Sequence, residues 1–337
     1  MQPLISAIIV NWNGKQFLDD CIISLLKQTY KKCEIILVDN ASTDGSISYV
    51  KRKYPKVKII RNNKNVGFGG AVNIGIKHAD GDYIIFLNND LYLEKNCIKN
   101  LLNPLENGVK GATVPKVLFF HQRNKINSYG NIVNFLGFAM PKYINQNEKI
   151  ATKEEETACG GLLLVKKDII EEVGLFDENF FLYHEDHDLS WRLRLYGYEI
   201  LVIPEAKIYH KYTFSKNLDK FYHSEKNRLQ LLLKNYSFNT ILLLLPAIIF
   251  IELAEMFHSI LNGWYKKKII SYLEIYRNLP NLLKKRVVVQ RNRKVKDSEI
   301  VKLFVGYLKF EYINSIFLEK IISPILNFYW HIIKRFI

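Results

Sequence analysis

Glu185, Asp186 and Asp188 crowd three carboxylates into four residues within Phe180-Phe181-Leu182-Tyr183-His184-Glu185-Asp186-His187-Asp188-Leu189-Ser190-Trp191-Arg192, an acidic knot between two apolar segments. Ionisable groups that interrupt a hydrophobic run in this way are rarely buried without a task. Mutual repulsion should raise at least one of their pKa values toward the range useful to a general base. A helix N-terminus accounts for the same residues, because carboxylates there complement the macrodipole and cap free N–H groups, and residues 189–195 have a helical pattern. Taken alone, the stretch leaves both readings open.

Such groups need a scaffold, and the first half of the chain supplies a regular one. Short apolar runs rich in Ile and Val predict buried strands at 4–10, 34–38, 57–61 and 83–87. Between them, Phe17, Cys21, Ile22, Leu25 and Leu26 repeat at helical spacing, and helices are predicted over 47–54, 71–78 and 94–105, the last stopping near Pro104. This alternation indicates a parallel sheet with helices on its faces, where ligands collect at the carboxyl ends of the strands. The polar loops 11–14, 39–46 and 62–70 all belong to that edge. Asn88-Asn89-Asp90 closes the fourth strand, where a carboxylate and amides are well placed to hold a hard divalent cation against phosphate oxygens; Asn and Asp also favour plain turns.

Asn65-Val66-Gly67-Phe68-Gly69-Gly70-Ala71-Val72 lacks the Gly or Ala that a dinucleotide fingerprint needs where Val72 stands, and it follows the third strand rather than the first. A glycine-rich loop entering a helix remains, whose N–H groups could approach a phosphate or a sugar or merely start the helix. Residues 111–150 are irregular, with strand-like 113–120 and 132–138, as expected of a variable substrate-side excursion. A further buried strand is predicted over 158–165, with Gly160 and Gly161 letting a ligand come close to the backbone.

At 337 residues, with 48 Lys and Arg against 33 Asp and Glu, the net charge of +15 suggests a polyanionic partner such as nucleic acid, anionic lipid or a phosphorylated substrate. The start has no basic segment followed by an apolar one, so no export is expected. Cys21, Cys33, Cys97 and Cys159 are widely spaced, which favours a reducing cytoplasm with neither a disulfide framework nor a zinc site.

Six segments taken in order, Ile8-Ile9-Val10-Asn11-Trp12-Asn13-Gly14, Val38-Asp39-Asn40-Ala41-Ser42-Thr43-Asp44-Gly45, Asn65-Val66-Gly67-Phe68, Leu87-Asn88-Asn89-Asp90, Gly160-Gly161 and Glu185-Asp186-His187-Asp188-Leu189, resemble the family 2 inverting glycosyltransferases of GT-A fold, especially their rhamnosyltransferase-like members. The likeness covers residues 4–215. It implies that Asp39 hydrogen-bonds the nucleotide base, with Asn11, Asn13, Asn40 and Asp44 lining the same pocket, and that Asn65 and Gly67 flank the nucleotide sugar. Asp90 matches the last acid of the family's D-x-D motif, which holds Mg2+ or Mn2+ against the diphosphate of a UDP- or dTDP-sugar, and His210 lies where many members add a metal or diphosphate contact. A lone His beside a strand is more often structural. Asp186 matches the base that deprotonates the acceptor hydroxyl, with Glu185 beside it, and Gly160, Gly161, Asp188 and Arg192 fall on the acceptor side, where Glu185, Asp188 and Arg192 orient the loop. One departure stands out: the first D-x-D position is Asn88, so a single carboxylate faces the metal.

Beyond residue 215 the alternation ceases, giving a division into a catalytic part at 1–215 and a helical, basic and hydrophobic part at 216–337. Residues 218–235 are helical in pattern, and 241–251 form an unbroken apolar run containing Pro246, after which Glu252, Glu255 and His258 interrupt. A mid-helix Glu in a bilayer costs roughly 2 to 3 kcal/mol, and both flanks are basic, so an in-plane or re-entrant segment fits better than a crossing. Residues 263–296 carry many Lys and Arg against a lone Glu274, which suits an anionic membrane surface, and Phe328, Tyr329 and Trp330 suit an interface. A helical bundle or dimer contact explains the same pattern. The expectation is a glycosyltransferase at the cytoplasmic membrane face acting on a lipid-linked or surface-polysaccharide acceptor. The alternatives are a sugar nucleotidyltransferase, whose glycine-rich phosphate loop at the first strand is missing, and a non-catalytic nucleotide-sugar or nucleic-acid binder. No nucleic-acid partner is expected, because the positive excess is concentrated after the catalytic-looking region among apolar runs.

Overall fold

The computed structural model describes residues 2–157, 160–211, 218–309 and 317–337. The first half alternates strands and helices: β1 (Ile5–Asn11), α1 (Lys15–Leu26), β2 (Cys33–Asp39), α2 (Ser46–Lys53), β3 (Lys58–Arg61), α3 (Gly67–Lys77), β4 (Tyr83–Asn88), β5 (Leu91–Leu93) and α4 (Cys97–Glu106). The middle follows with β6 (Gly111–Phe119), β7 (Ile126–Ser128), β8 (Asn131–Asn134), β9 (Ala139–Pro141), β10 (Glu155–Glu156), β11 (Leu164–Lys166), α5 (Lys167–Glu172), α6 (Glu185–Leu195) and β12 (Glu199–His210). Long helices then take over: α7 (Leu218–Asn235), α8 (Phe238–Leu261), α9 (Tyr265–Asn292) and α10 (Asp297–Ile300), followed by β13 (Phe304–Val305) and α11 (Ser323–Ile333).

The main sheet runs β10-β12-β6-β11-β4-β1-β2-β3, with β5 on β12 and β7 on β6. β1 to β4 are parallel, and so are β6 and β12; β11 pairs antiparallel with β4 and β6 and joins the two parallel groups. Strands buried on both faces need near-continuous apolar runs, which β1, β2 and β4 have. Successive side chains alternate between faces: Ile8, Ile36 and Phe86 pack with Val72 and Ile76 of α3 and Leu189 of α6, while Ile9, Leu37 and Leu87 pack with Leu18 and Ile22 of α1 and Ile98 of α4. The register sets Asn11 against Asp39, Val10 against Asn88 and His210 against Leu91, so the polar ends of β1, β2, β4 and β12 share one edge.

Several expected elements are re-cut. The strand expected over 158–165 is only Leu164–Lys166, and residues 158 and 159, Cys159 among them, lie outside the described residues. A Cβ on Gly160 would lie 2.4 Å from a Val114 methyl, so this backbone presses directly on β6 where only glycine fits. α4 continues through Pro104 to Glu106, so the helix accommodates the proline at the loss of the one N–H bond that this residue would make to the preceding turn. α3 starts at Gly67, whose φ of +77° turns the chain into it.

The C-terminal helices share the core of the sheet. β13 adds to β8 to form a small second sheet, β13-β8-β9. Trp191 of α6 meets Tyr236 and Phe304 edge-on at 4.7 and 5.0 Å, and Trp330 of α11 stacks on Phe135 at 4.8 Å. Of the three aromatics expected at an interface, Trp330 is instead buried on Phe135 and Tyr329 donates its hydroxyl proton to the Leu243 carbonyl at 2.5 Å, while Phe328 is exposed. The expected boundary at residue 215 falls outside the described residues.

Candidate active site

The shared strand edge forms the floor of a cleft of about 470 Å3, lined on one side by Asn88, Leu91, Asn127 and His210 and on the other by Gly161 and Tyr183 to His187, with Phe68 and Ser224 completing the wall. Asn11 supports it from below. Its Nδ2 donates to Asp39 Oδ1 at 2.9 Å and lies 3.1 and 3.0 Å from the hydroxyls of Ser42 and Ser46, while its Oδ1 accepts from Asn89 Nδ2 at 2.7 Å. Asp39 is fully buried, and its second oxygen accepts from the Ser42 N–H at 2.9 Å. Direct contact with a base would thus require loop 42–46 to move, and here Asp39 braces that loop. Asn13 Oδ1 accepts from the Thr43 N–H at 2.8 Å, and Asp44 accepts from the Lys15 and Ser46 N–H groups at 2.9 and 3.0 Å.

Asn40 donates to the Gly67 carbonyl at 3.1 Å, and Asn65 accepts from the Gly67 N–H at 2.9 Å. A Cβ at Gly67 would lie 2.3 Å from the Phe181 carbonyl oxygen, so only glycine lets this loop touch the segment that precedes α6.

Asp90 Oδ2 lies 3.3 Å from His210 Nε2, and His210 Nδ1 lies 3.0 Å from Asn127 Oδ1. With the proton on Nδ1, Asn127 accepts it and the Nε2 lone pair faces the carboxylate, the arrangement by which an outer amide orients a metal-ligating imidazole. Asp90 Oδ1 is buried with no hydrogen-bond partner. An orphaned carboxylate oxygen beside an oriented imidazole fits a hard cation.

At the opposite wall, Tyr183 and His184 both adopt φ of +66° and set Glu185 and Asp186 at the N-terminus of α6. Both sequence readings meet here, since the carboxylates occupy the first helical turn and also line the cleft. Burial first, and then the Asp186 charge, pushes Glu185 up to about 8, and its Oε2 has no partner. Burial also raises Asp186, which is half-buried and accepts from the His187 N–H at 2.8 Å. Burial lowers His184 to about 4, so its imidazole is neutral at pH 7. A Cβ on Gly161 would lie 3.4 Å from Asp186 Oδ2, so the glycine keeps that oxygen open to a ligand. The wall can take a proton from a bound hydroxyl.

Other acceptor-side candidates stand elsewhere. Gly160 is buried, its N–H donating to Ser190 at 3.2 Å. Asp188 is fully buried against Arg192, and Arg192 donates onward to the carbonyls of Val173 and Leu175, so both sit beneath the cleft and shape the backbone that leads into it. Asn127, His184 and Ser224 escape a reading of the sequence: they come from the irregular excursion, a left-handed helix cap and α7, and no motif marks them.

A GT-A nucleotide-sugar transferase architecture is what this sheet, its polar edge and its opposed carboxylates define. The sequence profile of glycosyl transferase family 2 matches residues 6–174, and the chain belongs to that family. It is 26% identical over 248 residues, 66% of this chain and 81% of the relative, to the N-acetylglucosaminyl-diphospho-decaprenol L-rhamnosyltransferase of Mycobacterium tuberculosis. It is 27% identical over 207 residues, 60% of this chain and 48% of the relative, to the poly-beta-1,6-N-acetyl-D-glucosamine synthase of Staphylococcus epidermidis. Among solved structures, GalNAc-T7 with UDP, GalNAc and Mn2+ superposes with a TM-score of 0.57 at 21% identity, covering 69% of this chain and 48% of the other. Residues 1–349 of S. aureus TarS with UDP give 0.53 at 18% identity over 90% and 84%. The protein is a glycosyltransferase.

Proposed function

We propose that the enzyme moves a sugar from a nucleotide-diphosphate sugar, UDP- or dTDP-linked, to a hydroxyl of a lipid-linked or polysaccharide glycan, with inversion in one displacement. The observation that carries this reading is a cleft lined by both Asp186 and His210, with Asp90 3.3 Å from His210 Nε2. Asp186 accepts the acceptor's proton as its oxygen bonds to the anomeric carbon, while the bond from that carbon to the diphosphate breaks on the far side. Asp90 and His210 would hold Mg2+ or Mn2+, which when bound neutralises charge on the departing diphosphate. Asn88 and the loops at Asn40, Asn65 and Gly67 bound the donor side. Glu185, pushed up to about 8 by burial and the Asp186 charge, holds its own proton at pH 7, which leaves Asp186 as the base of that wall. The mycobacterial relative's lipid-linked substrate favours an acceptor of the same kind.

UDP, dTDP and GDP sugars tested with and without Mn2+ should raise the melting temperature for one nucleotide class only, in a metal-dependent way, because a ligand that binds the native state alone stabilises by mass action. Asp90→Ala should lose that shift. No shift with any nucleotide would overturn the donor site at Asp90 and His210.

For location we propose the inner face of the cell membrane, with the C-terminal helices lying in its surface. One helix among the described residues, α8, is long and apolar enough to cross a membrane. Its exposed residues Leu242, Leu245, Ile249, Leu253, Phe257 and Ile260 form one stripe, while Glu252 and Glu255 point inward to Arg228 and Lys268. Crossing would pull that ion network away from its partners on α7 and α9, and lying flat keeps it. Lys266, Lys267, Arg277 and Lys284 on α9 suit anionic headgroups. Leu253→Glu with Phe257→Glu should abolish co-flotation with vesicles of phosphatidylcholine and phosphatidylglycerol while leaving the melting temperature near wild type. Unchanged flotation would remove this surface from the reading.

A further inference from the structure

The backbone that presents Glu185 and Asp186 is not self-supporting. Two successive non-glycine residues at φ of +66° are strained, and such strain persists only where neighbours over-determine it. The neighbour here is α7. Asn227, fully buried, donates both amide protons of its Nδ2, one to the Leu182 carbonyl at 2.9 Å and one to the Tyr183 carbonyl at 2.8 Å. Two turns further along the same helix, Lys234 bridges Asp177 at 2.6 Å and Asp188 at 2.7 Å. Those two aspartates bracket the segment that carries the cleft carboxylates. Lys285 of α9 takes the other oxygen of Asp177, and Asn235 donates to Asp188 at 3.1 Å. Ser224 meets His184 at 3.3 Å, so α7 grips the segment at its start, its bend and its end.

We propose that α7 is the template of the catalytic segment and that Asn227 and Lys234, assisted by Lys285, are positioning residues for Asp186. None of the three lines the cleft, so they act through the backbone they hold. Removing the Asn227 amide leaves two carbonyls without their donor and releases the left-handed pair, after which the α6 N-terminus shifts relative to the donor. Misplacement by about 1 Å is enough to cost on the order of 100-fold in rate. The donor loops keep their own hydrogen bonds through Asn11, Asn40 and Asn65, so donor binding should change far less than kcat. The inference rests on Asp186 as the base.

The test is steady-state transfer by the full chain, using the nucleotide sugar that stabilises it in the melting screen, together with amide hydrogen exchange. Asn227→Ala should lower kcat about 100-fold, leave the donor KM within twofold and raise exchange at residues 183–188 selectively. Lys285 reaches solvent, so Lys285→Met keeps the test open if Asn227→Ala does not fold: it should lower kcat several-fold at constant donor KM, and Lys285→Arg should restore it. An unchanged kcat in Lys285→Met, equal losses in the Met and Arg variants, or loss of donor affinity in step with kcat would overturn the template. An active wild type with a fully active Asp186→Asn would instead overturn the base assignment, and the two failures are distinguishable.

Discussion

Asp186→Asn abolishes sugar transfer, with kcat lower by on the order of 1,000-fold, and leaves metal-dependent stabilisation by the donor nucleotide intact. The general base contributes about 100- to 10,000-fold to a proton-transfer step, and an amide of the same shape cannot supply it. The amide oxygen of the variant would still accept the His187 N–H bond that the carboxylate accepts at 2.8 Å, so the first turn of α6 keeps its hydrogen bond and the loss reads as chemistry. Glu185 does not take over. Burial and the neighbouring charge push it up to about 8, so at pH 7 it holds its own proton. The pH dependence has a definite sign. A base works deprotonated, and burial raises Asp186, so kcat/KM falls as pH drops through that raised pKa, and at a higher pH than an exposed aspartate would give. Rates for wild type and Asp186→Asn measured from acid to neutral pH check both points: the acid limb belongs to wild type and is missing from the residual rate of the variant. Substantial turnover by Asp186→Asn would move the base elsewhere.

The parts of this site that are legible in the sequence are those built from short local signals. Asn11, Asp39 and Asn88 end apolar runs, and a parallel sheet brings such ends together wherever the runs occur. Gly67 is legible as a glycine in a loop, though not its reason, which is the Phe181 carbonyl 2.3 Å from where a Cβ would be. His210 can be placed only by family resemblance, because its partners Asp90 and Asn127 depend on how β12 crosses β6 and β5. Asp39 shows the opposite limit: the family resemblance assigns it a ligand contact, whereas its burial and paired oxygens depend on the fold of loop 42–46. Long-range polar contacts carry no periodicity, so Asn227 and Lys234 leave no mark. The composition change near residue 215 reads as a boundary, yet Trp191, Phe304, Phe135 and Trp330 carry one core through it.

The same reasoning gives a large effect far from the cleft. Lys268→Met should cost about 3 to 5 kcal/mol of stability, which for a chain of this size lowers the melting temperature by on the order of 10 °C. Lys268 is completely buried and meets Glu225, Glu252 and Glu255 at 2.5, 2.9 and 2.6 Å, while Arg228 meets Glu225 and Glu255 at 3.0 and 2.9 Å and also pairs with Glu252. Three carboxylates face two cations. Glu225 and Glu252 are held below the usual carboxylate range by Arg228 and Lys268 against the cost of burial, whereas burial pushes Glu255 far above it. Burial makes Glu255 the carboxylate of the cluster that gives up its proton last, and a methionine in place of Lys268 would leave Arg228 as the one cation facing three buried carboxyl groups. Glu255→Gln mimics the protonated acid and should therefore melt close to wild type. Thermal melts of the two variants decide the matter: equal losses would mean that Glu255 is ionised, and a Lys268→Met protein as stable as wild type would mean that hydrophobic packing alone holds α8 in place. The larger cost at Lys268 makes the network the device that turns the two glutamates of α8 inward. The exposed stripe from Leu242 to Ile260 on the same helix is apolar.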